Sequence, residues 1–254
     1  MKGFIEEYGK IIVVIILTLL MLGFGQTGLA KPLQNSLLKS TGMITNAHNK
    51  FDEVTKGLET VTPGAIIDIE GTKYVVLEER ENNQALVMRA RSIGDKVFQS
   101  TDRSDGQNKN TYEGSEIDNY LENDWYNSLS STMKAAIQTT NIKQALYRVD
   151  TNPDSKYDSL GCNVISRHAF LPSVSEIGKV VDLKNPNKVK LFLNKTNTWT
   201  RDMDGGCEYA EYLNAYVGKL NHSYVKDSCY GIRPAFVINL SKVDYKVTGH
   251  TDYK

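Results

Sequence analysis

The chain has 254 residues, 30 lysines and arginines against 30 aspartates and glutamates, 40% hydrophobic content and three cysteines. This excludes a disordered or collagen-like chain and allows one large or two small domains whose core needs no disulfide staples. Zero formal net charge removes the long-range attraction to phosphate that nucleic-acid binders use, so no nucleic-acid partner is expected. Tyrosine dominates the aromatic content, with 14 Tyr against 7 Phe and 2 Trp.

At the N-terminus, Ile11 to Phe24 is almost uninterrupted Ile, Val and Leu, with no charge between Lys10 and Lys31. A soluble core helix would show a polar residue every three or four positions, so this segment predicts a membrane anchor over residues 11–30. The alternative is a signal peptide cleaved after Ala30, at the small-x-small site Gly28-Leu29-Ala30. Either reading puts residues 31–254 outside the cytoplasm, and the first makes the protein a single-pass protein of the cell membrane. Beyond Pro32, Leu37, Ile44, Phe51 and Leu58 recur at seven-residue intervals, which predicts an amphipathic stalk helix over 31–58. Gly42 and Ser40 weaken its seam, so self-association through 33–58 is expected to be weak. An apolar helix running into an amphipathic one is similar to type IV pilins, and Gly3-Phe4 resembles their processing site. That resemblance implies a pilin-like structural subunit as the second functional reading.

The polar stretch Glu59 to Gly64 marks the start of a head domain, 59–254. Ala65–Ile69, Tyr74–Leu77 and Ala85–Met88 predict strands, with Glu81-Asn82-Asn83-Gln84 as a hairpin turn. Lys96 to Thr111 reads as a surface loop. Ser115-Glu-Ile-Asp118 resembles a capping box opening a helix that buries Ile117, Tyr120, Leu121 and Trp125. A second short helix starts at Ser131 and turns Met133, Ala136 and Ile137 inward. Phe170 to Ile177 predicts a strand end capped into a brief helix. Lys190–Leu193, Thr198–Arg201, Ala215–Val217 and Arg233–Leu240 predict further strands.

The ordered set Tyr74-Val-Val-Leu, Tyr112-Glu-Gly-Ser-Glu-Ile-Asp-Asn-Tyr-Leu, Phe170-Leu-Pro-Ser-Val-Ser-Glu, Trp199-Thr-Arg-Asp and Gly231-Ile-Arg-Pro-Ala resembles an uncharacterised domain family. That family is common in Gram-positive bacteria, their phages and mobile elements, and carries a W-x-R-(S/D) strand and a closing G-(V/I)-R-P-A strand. The closing segments are also similar to C-type-lectin-like and formylglycine-generating-enzyme-like domains. The similarity implies an α+β, C-type-lectin-like head in which a rigid core displays ligand-contacting residues on strands and loops.

For chemistry, the four histidines His48, His168, His222 and His250 fall into no metal-ligand spacing, and Cys162 with His168 makes an improbable zinc pair. Asp202-Met-Asp204-Gly205-Gly206 reads as a polar turn before it reads as a calcium loop. No metal, cofactor or catalytic residue is expected. Cys207 and Cys229 outside the cytoplasm suit a disulfide. Trp199, Arg201, Arg233 and Pro234 read as structural framework, with Arg233 needing a buried acid or carbonyl partners.

The window Tyr209 to Tyr230 is different. It holds five of the 14 tyrosines, and Tyr209, Tyr212, Asn214, Tyr216, Asn221, His222, Ser223, Tyr224, Asp227, Ser228 and Tyr230 share the Tyr/Ser/Asn vocabulary of binding loops. If Tyr212, Asn214 and Tyr216 alternate on a strand they share one face, while Leu213, Ala215 and Val217 pack inward. The sequence therefore predicts a membrane-anchored, extracytoplasmic recognition protein that is not an enzyme. It would bind a protein or glycan through Tyr209, Tyr212, Asn214, Tyr216, Asn221, His222, Tyr224 and Tyr230.

Overall fold

The computed structural model describes residues 61–101, 111–145, 162–203 and 209–254. The chain divides between Leu58 and Glu59. The predicted anchor over 11–30, the cleavage site at Ala30 and the stalk over 31–58 lie outside the described residues.

Two tight turns join the first three strands of the first sheet. Strand β1 (Ala65–Ile69) alternates buried and half-buried residues, so Ala65, Ile67 and Ile69 face the core. It returns as β2 (Thr72–Arg80) through Glu70 and Gly71, both at left-handed φ, the geometry that matches the twist of a two-residue hairpin. Asn82 and Asn83 take left-handed φ between β2 and β3 (Gln84–Arg89), a conformation asparagine tolerates better than most residues. The resulting sheet has six strands in the order β11-β1-β2-β3-β10-β4, with β4 (Ile137–Gln138), β10 (Ala235–Asn239) and β11 (Tyr245–His250) recruited from far along the chain. Tyr74 to Leu77, Ala85 to Met88 and Ala235 to Ile238 are each continuously buried, so the central strands are covered on both faces.

Helices close over this sheet. Ser115 caps α1 (Glu116–Asn119) by accepting the Asp118 N–H, and the helix continues through a π turn (Tyr120–Trp125) into α2 (Tyr126–Ser128). Ile117, Leu121 and Trp125 are buried as the spacing predicts, and Tyr120 is half-buried. The Trp125 ring lies 5.9 Å from Phe236 of β10. Helix α3 (Ser131–Ala136) passes directly into β4, so Ile137 packs inward from a strand. Two smaller sheets complete the unit: β5 (Thr140–Ala145) with β6 (Cys162–Arg167), and β7 (Thr198–Met203), β8 (Tyr209–Asn214) and β9 (Lys219–Tyr224) in that order.

Several expectations are corrected. The described residues are predominantly β, and all their helical segments are short; no helix among them is long and apolar enough to cross a membrane. The expected α+β, C-type-lectin-like head therefore gives way to a predominantly β fold, and the described residues supply no transmembrane helix beneath it. Its β-branched runs pair across long sequence distances instead of feeding helices. Lys190–Leu193, expected as a strand, is the end of helix α5 (Pro186–Leu193). Asn185 caps its start, Pro186 occupies the first turn, and Asn194 ends it at left-handed φ; caps at both ends outweigh a short apolar run. Ala215–Val217 is a turn, and the strands lie on either side of it.

Candidate functional site

The residues singled out between 209 and 230 form the β8–β9 hairpin and the segment after it. Register pairs Tyr209 with Tyr224, Glu211 with His222, and Tyr212 with Asn221. The turn is built by Asn214, whose Oδ1 accepts the N–H groups of Tyr216 at 2.9 Å and Val217 at 3.1 Å, an Asx turn. Gly218 closes it at φ 71°, so near Pro186 that a Cβ would sit 2.1 Å from the Pro186 carbonyl oxygen. The tip side chains Tyr216 and Val217 are consequently 71% and 51% exposed. Val217 does not pack inward, and Tyr216 does not share a strand face with Tyr212.

One face of the hairpin belongs to the core. Tyr212 and Tyr230 are buried, their rings 4.3 Å apart, and Tyr230 lies 4.4 Å from Trp199. Their hydroxyls meet polar partners at the rim. Asn214 and Asn221 donate to the Tyr212 oxygen at 3.0 and 3.3 Å, while Tyr230 donates to Ser223 Oγ at 2.7 Å, which donates to Asp227 at 2.5 Å. Burial pushes the Tyr230 phenol up to about 12, Ser223 opposing and Tyr212 adding to the shift. Phenols this enclosed cannot contribute ring area to a partner; that of Tyr212 sets the positions of Asn214 and Asn221.

The other face is a surface cluster. Tyr209 is half-buried and sits 4.7 Å from the Tyr224 ring and 5.2 Å from the His222 ring. Tyr224 is 50% exposed and His222 is exposed. Glu211, opposite His222, is buried. Since β9 is the last strand of its sheet, Asn221, His222 and Tyr224 project from an edge. Thus Tyr209, His222 and Tyr224 come together, Tyr212 gathers Asn214 and Asn221 by hydrogen bonds and Tyr230 by ring contact, and the Tyr216 side chain stands apart at the exposed tip.

The framework residues hold this hairpin. Trp199 is fully buried, and its indole N–H donates to the Lys96 carbonyl at 3.0 Å. Arg201 grips Glu176 through two hydrogen bonds, at 2.5 and 2.7 Å, and donates to the carbonyls of Leu171 and Lys143. Glu176 also reaches back to the Ser173 N–H in a true capping box at the start of helix α4 (Val174–Ile177), while Asp202 accepts the Val174 N–H at 2.7 Å. Burial alone would raise the Glu176 carboxyl; the Arg201 charge and the hydrogen bonds outweigh it and hold the group below the usual carboxylate range. For Asp202 burial wins, and its carboxyl is raised. Arg233 has three carbonyl acceptors, those of Arg89, Ala90 and Phe192, with the Phe192 ring 4.4 Å from the guanidinium. Burial pulls it down to about 9, so it remains charged at neutral pH. Pro234 is buried beside it, and its carbonyl accepts the Arg89 N–H.

Two chemical expectations need correcting or placing. Cys229 is an exposed free thiol, and Cys207, its expected disulfide partner, lies outside the described residues. Among the described residues, no group of three His, Cys, Asp or Glu side chains could hold a metal.

Residues 82–240, more than half of the chain, match a family described as a domain of unknown function, DUF6273. The chain belongs to the DUF6273 family. No curated protein and no solved structure matches it. The DUF6273 match opens in the β2–β3 turn and closes just after β10. It takes in the helical segment, both buried arginines and the β8–β9 hairpin, and leaves out β1 and β11.

Sequence reasoning missed the acids that complete this scaffold. Glu176 was legible as the fourth residue of Ser-x-x-Glu, the capping-box spacing, but its second role as the Arg201 partner needs two segments 25 residues apart. Asp118 likewise pairs bidentately with Arg167, at 2.8 and 2.7 Å. His168 was weighed only as a metal ligand beside Cys162. Its actual partners are Glu122 and Thr139, and no local spacing announces them.

Proposed function

We propose that this DUF6273 chain is a recognition protein that binds a protein or glycan partner non-covalently through the β8–β9 hairpin. The Tyr209–His222–Tyr224 cluster carries this reading. Three ring side chains gathered at the solvent-facing edge of a sheet offer large, stiff contact area with hydrogen-bonding ends, the composition that dominates binding hot spots. Asn221 and the Asn214 carboxamide, held by the Tyr212 hydroxyl, supply oriented polar contacts alongside. We also take Trp199-Thr-Arg-Asp and Gly231-Ile-Arg-Pro-Ala as the family's structural signature, since their arginines tie distant segments to the strands that carry the hairpin.

The test is an array of bacterial surface glycans and peptides probed with the wild-type chain and with Tyr209→Ser/Tyr224→Ser. Loss of two hot-spot rings should weaken the best hit about thirtyfold or more at unchanged thermal stability. Hits bound equally by the double variant would place recognition elsewhere and refute the assignment.

A further inference from the structure

The chain leaves the six-stranded sheet at the end of β4 and enters the two-stranded sheet at the start of β5, with only Thr139 between them. The β5–β6 ladder ends at Thr140 opposite Arg167, so Thr139 and His168 face each other one step beyond it. Their side chains meet, with Thr139 Oγ1 2.9 Å from His168 Nε2. On the other side of the ring, His168 Nδ1 lies 2.8 Å from Glu122 Oε1. The second carboxylate oxygen of Glu122 accepts the backbone N–H groups of His168 at 2.7 Å and Ala169 at 3.2 Å. Tyr126 stacks on the imidazole at 4.5 Å, nearly parallel.

Glu122 has only acceptors, so Nδ1 carries a proton. In the neutral imidazole Nε2 is then the acceptor, and the Thr139 hydroxyl donates to it. This is a hydroxyl, a base and an orienting carboxylate in the order that activates a nucleophile. Glu122 belongs to the π turn Tyr120–Trp125, a rare widening of a helix that recurs at functional sites. The Thr139 residue is exposed, His168 is about a third exposed, and Glu122 is less so. The nucleophile is therefore accessible from solvent while its orienting acid is sheltered.

We infer that Thr139, His168 and Glu122 form an acyl-transfer site, separate from the recognition hairpin, that acts on carboxylic esters. Thr139 Oγ1 attacks the ester carbonyl carbon and its proton passes to His168 Nε2. The carbon–oxygen bond to the alcohol breaks, and the departing oxygen takes that proton from His168. A water molecule then attacks the acyl-threonine, giving its proton to His168. The carboxylic acid leaves as Thr139 regains the proton. Thr139 and His168 are the catalytic residues. Glu122 is a positioning residue that holds the ring and stabilises its protonated form. Esters are the substrate class because their alkoxide departs more readily than an amine, and this site has a single acid to assist departure.

The test incubates the full chain with 4-nitrophenyl acetate, following nitrophenolate release and mapping the acetylated peptide by mass spectrometry. The expected result is acetylation at Thr139, release lost in Thr139→Val and largely retained in Thr139→Ser. In Glu122→Gln, kcat falls about a hundredfold or more at unchanged KM, the lower end of what acid–base assistance contributes. Unchanged circular dichroism and melting in Thr139→Val separate this from misfolding. Acetylation at another residue, equal release by Thr139→Val, or no release above buffer by the wild-type chain would overturn the assignment. The hairpin reading stands or falls separately, because array binding does not depend on Thr139.

Discussion

Replacing Arg201 by Met separates a buried ion pair from a decorative one. The guanidinium is 5% exposed and Glu176 13% exposed, with contacts of 2.5 and 2.7 Å. Truncation would leave a carboxylate buried without its counter-charge, and the Leu171 and Lys143 carbonyls without their donor. Breaking such a pair costs about 3–5 kcal/mol, a large share of the roughly 5–15 kcal/mol that holds a domain folded. For a unit of this size that is a fall in Tm of about 10 °C. The control is Arg80→Met, whose ion pair with Glu78 is 3.3 Å long and about one-third exposed on both sides; that change should cost no more than about 1 kcal/mol. Arg201→Met combined with Glu176→Leu removes both charges and should recover a substantial part of the loss. The pair also sets an acid limit. Because the Glu176 pKa is lowered in the fold, its contribution is present above the ordinary carboxylate pKa of about 4.3 and fades as pH falls through the lower folded value. Differential scanning fluorimetry across pH reads all of this. Equal shifts for Arg201→Met and Arg80→Met, or a double variant worse than the sum of its parts, would refute the argument.

Asp202 has the opposite sign. Its folded pKa is raised by burial, so its contribution is complete below about pH 3.9, the ordinary aspartate value, and declines as pH rises through the folded pKa. Asp202→Asn keeps an acceptor for Val174 and should melt higher than the wild type near pH 7, with the gain vanishing in acid; a lower Tm at pH 7 would contradict this. Gly218→Ala must hold alanine at φ 71° against the Pro186 carbonyl. The conformational cost with the displaced neighbour amounts to about 3 kcal/mol, measurable by urea unfolding. Cys229, exposed and free, should react with iodoacetamide in the native state, and reductant should leave Tm unchanged; resistance to alkylation until reduction would restore the disulfide.

Legibility followed the range of the interaction. The β2–β3 turn could be read because Asn82 and Asn83 act on their own backbone, and the start of α1 because Ser115 reaches only three residues ahead. The helical face Ile117, Leu121 and Trp125 followed from spacing alone. Lys190–Leu193 was misread because its apolar run was weighed without Asn185 and Asn194, the caps that decide it. The tyrosine- and asparagine-rich window 209–230, expected to present one face, divides between core and surface. Tyr212 and Tyr230 have the same chemistry as Tyr209 and Tyr224, and only their packing on Trp199 distinguishes them.

By itself, the amino-acid order determined the turns, several helix starts, most of the strand-forming runs and the place where tyrosine and asparagine concentrate. Each depends on a residue and its neighbours within a few positions. Tertiary structure alone decided which tyrosines are buried, which acid each buried arginine meets, and that Thr139, His168 and Glu122 touch. Those outcomes depend on pairings across tens of residues, where one step of strand register moves a side chain from solvent to core.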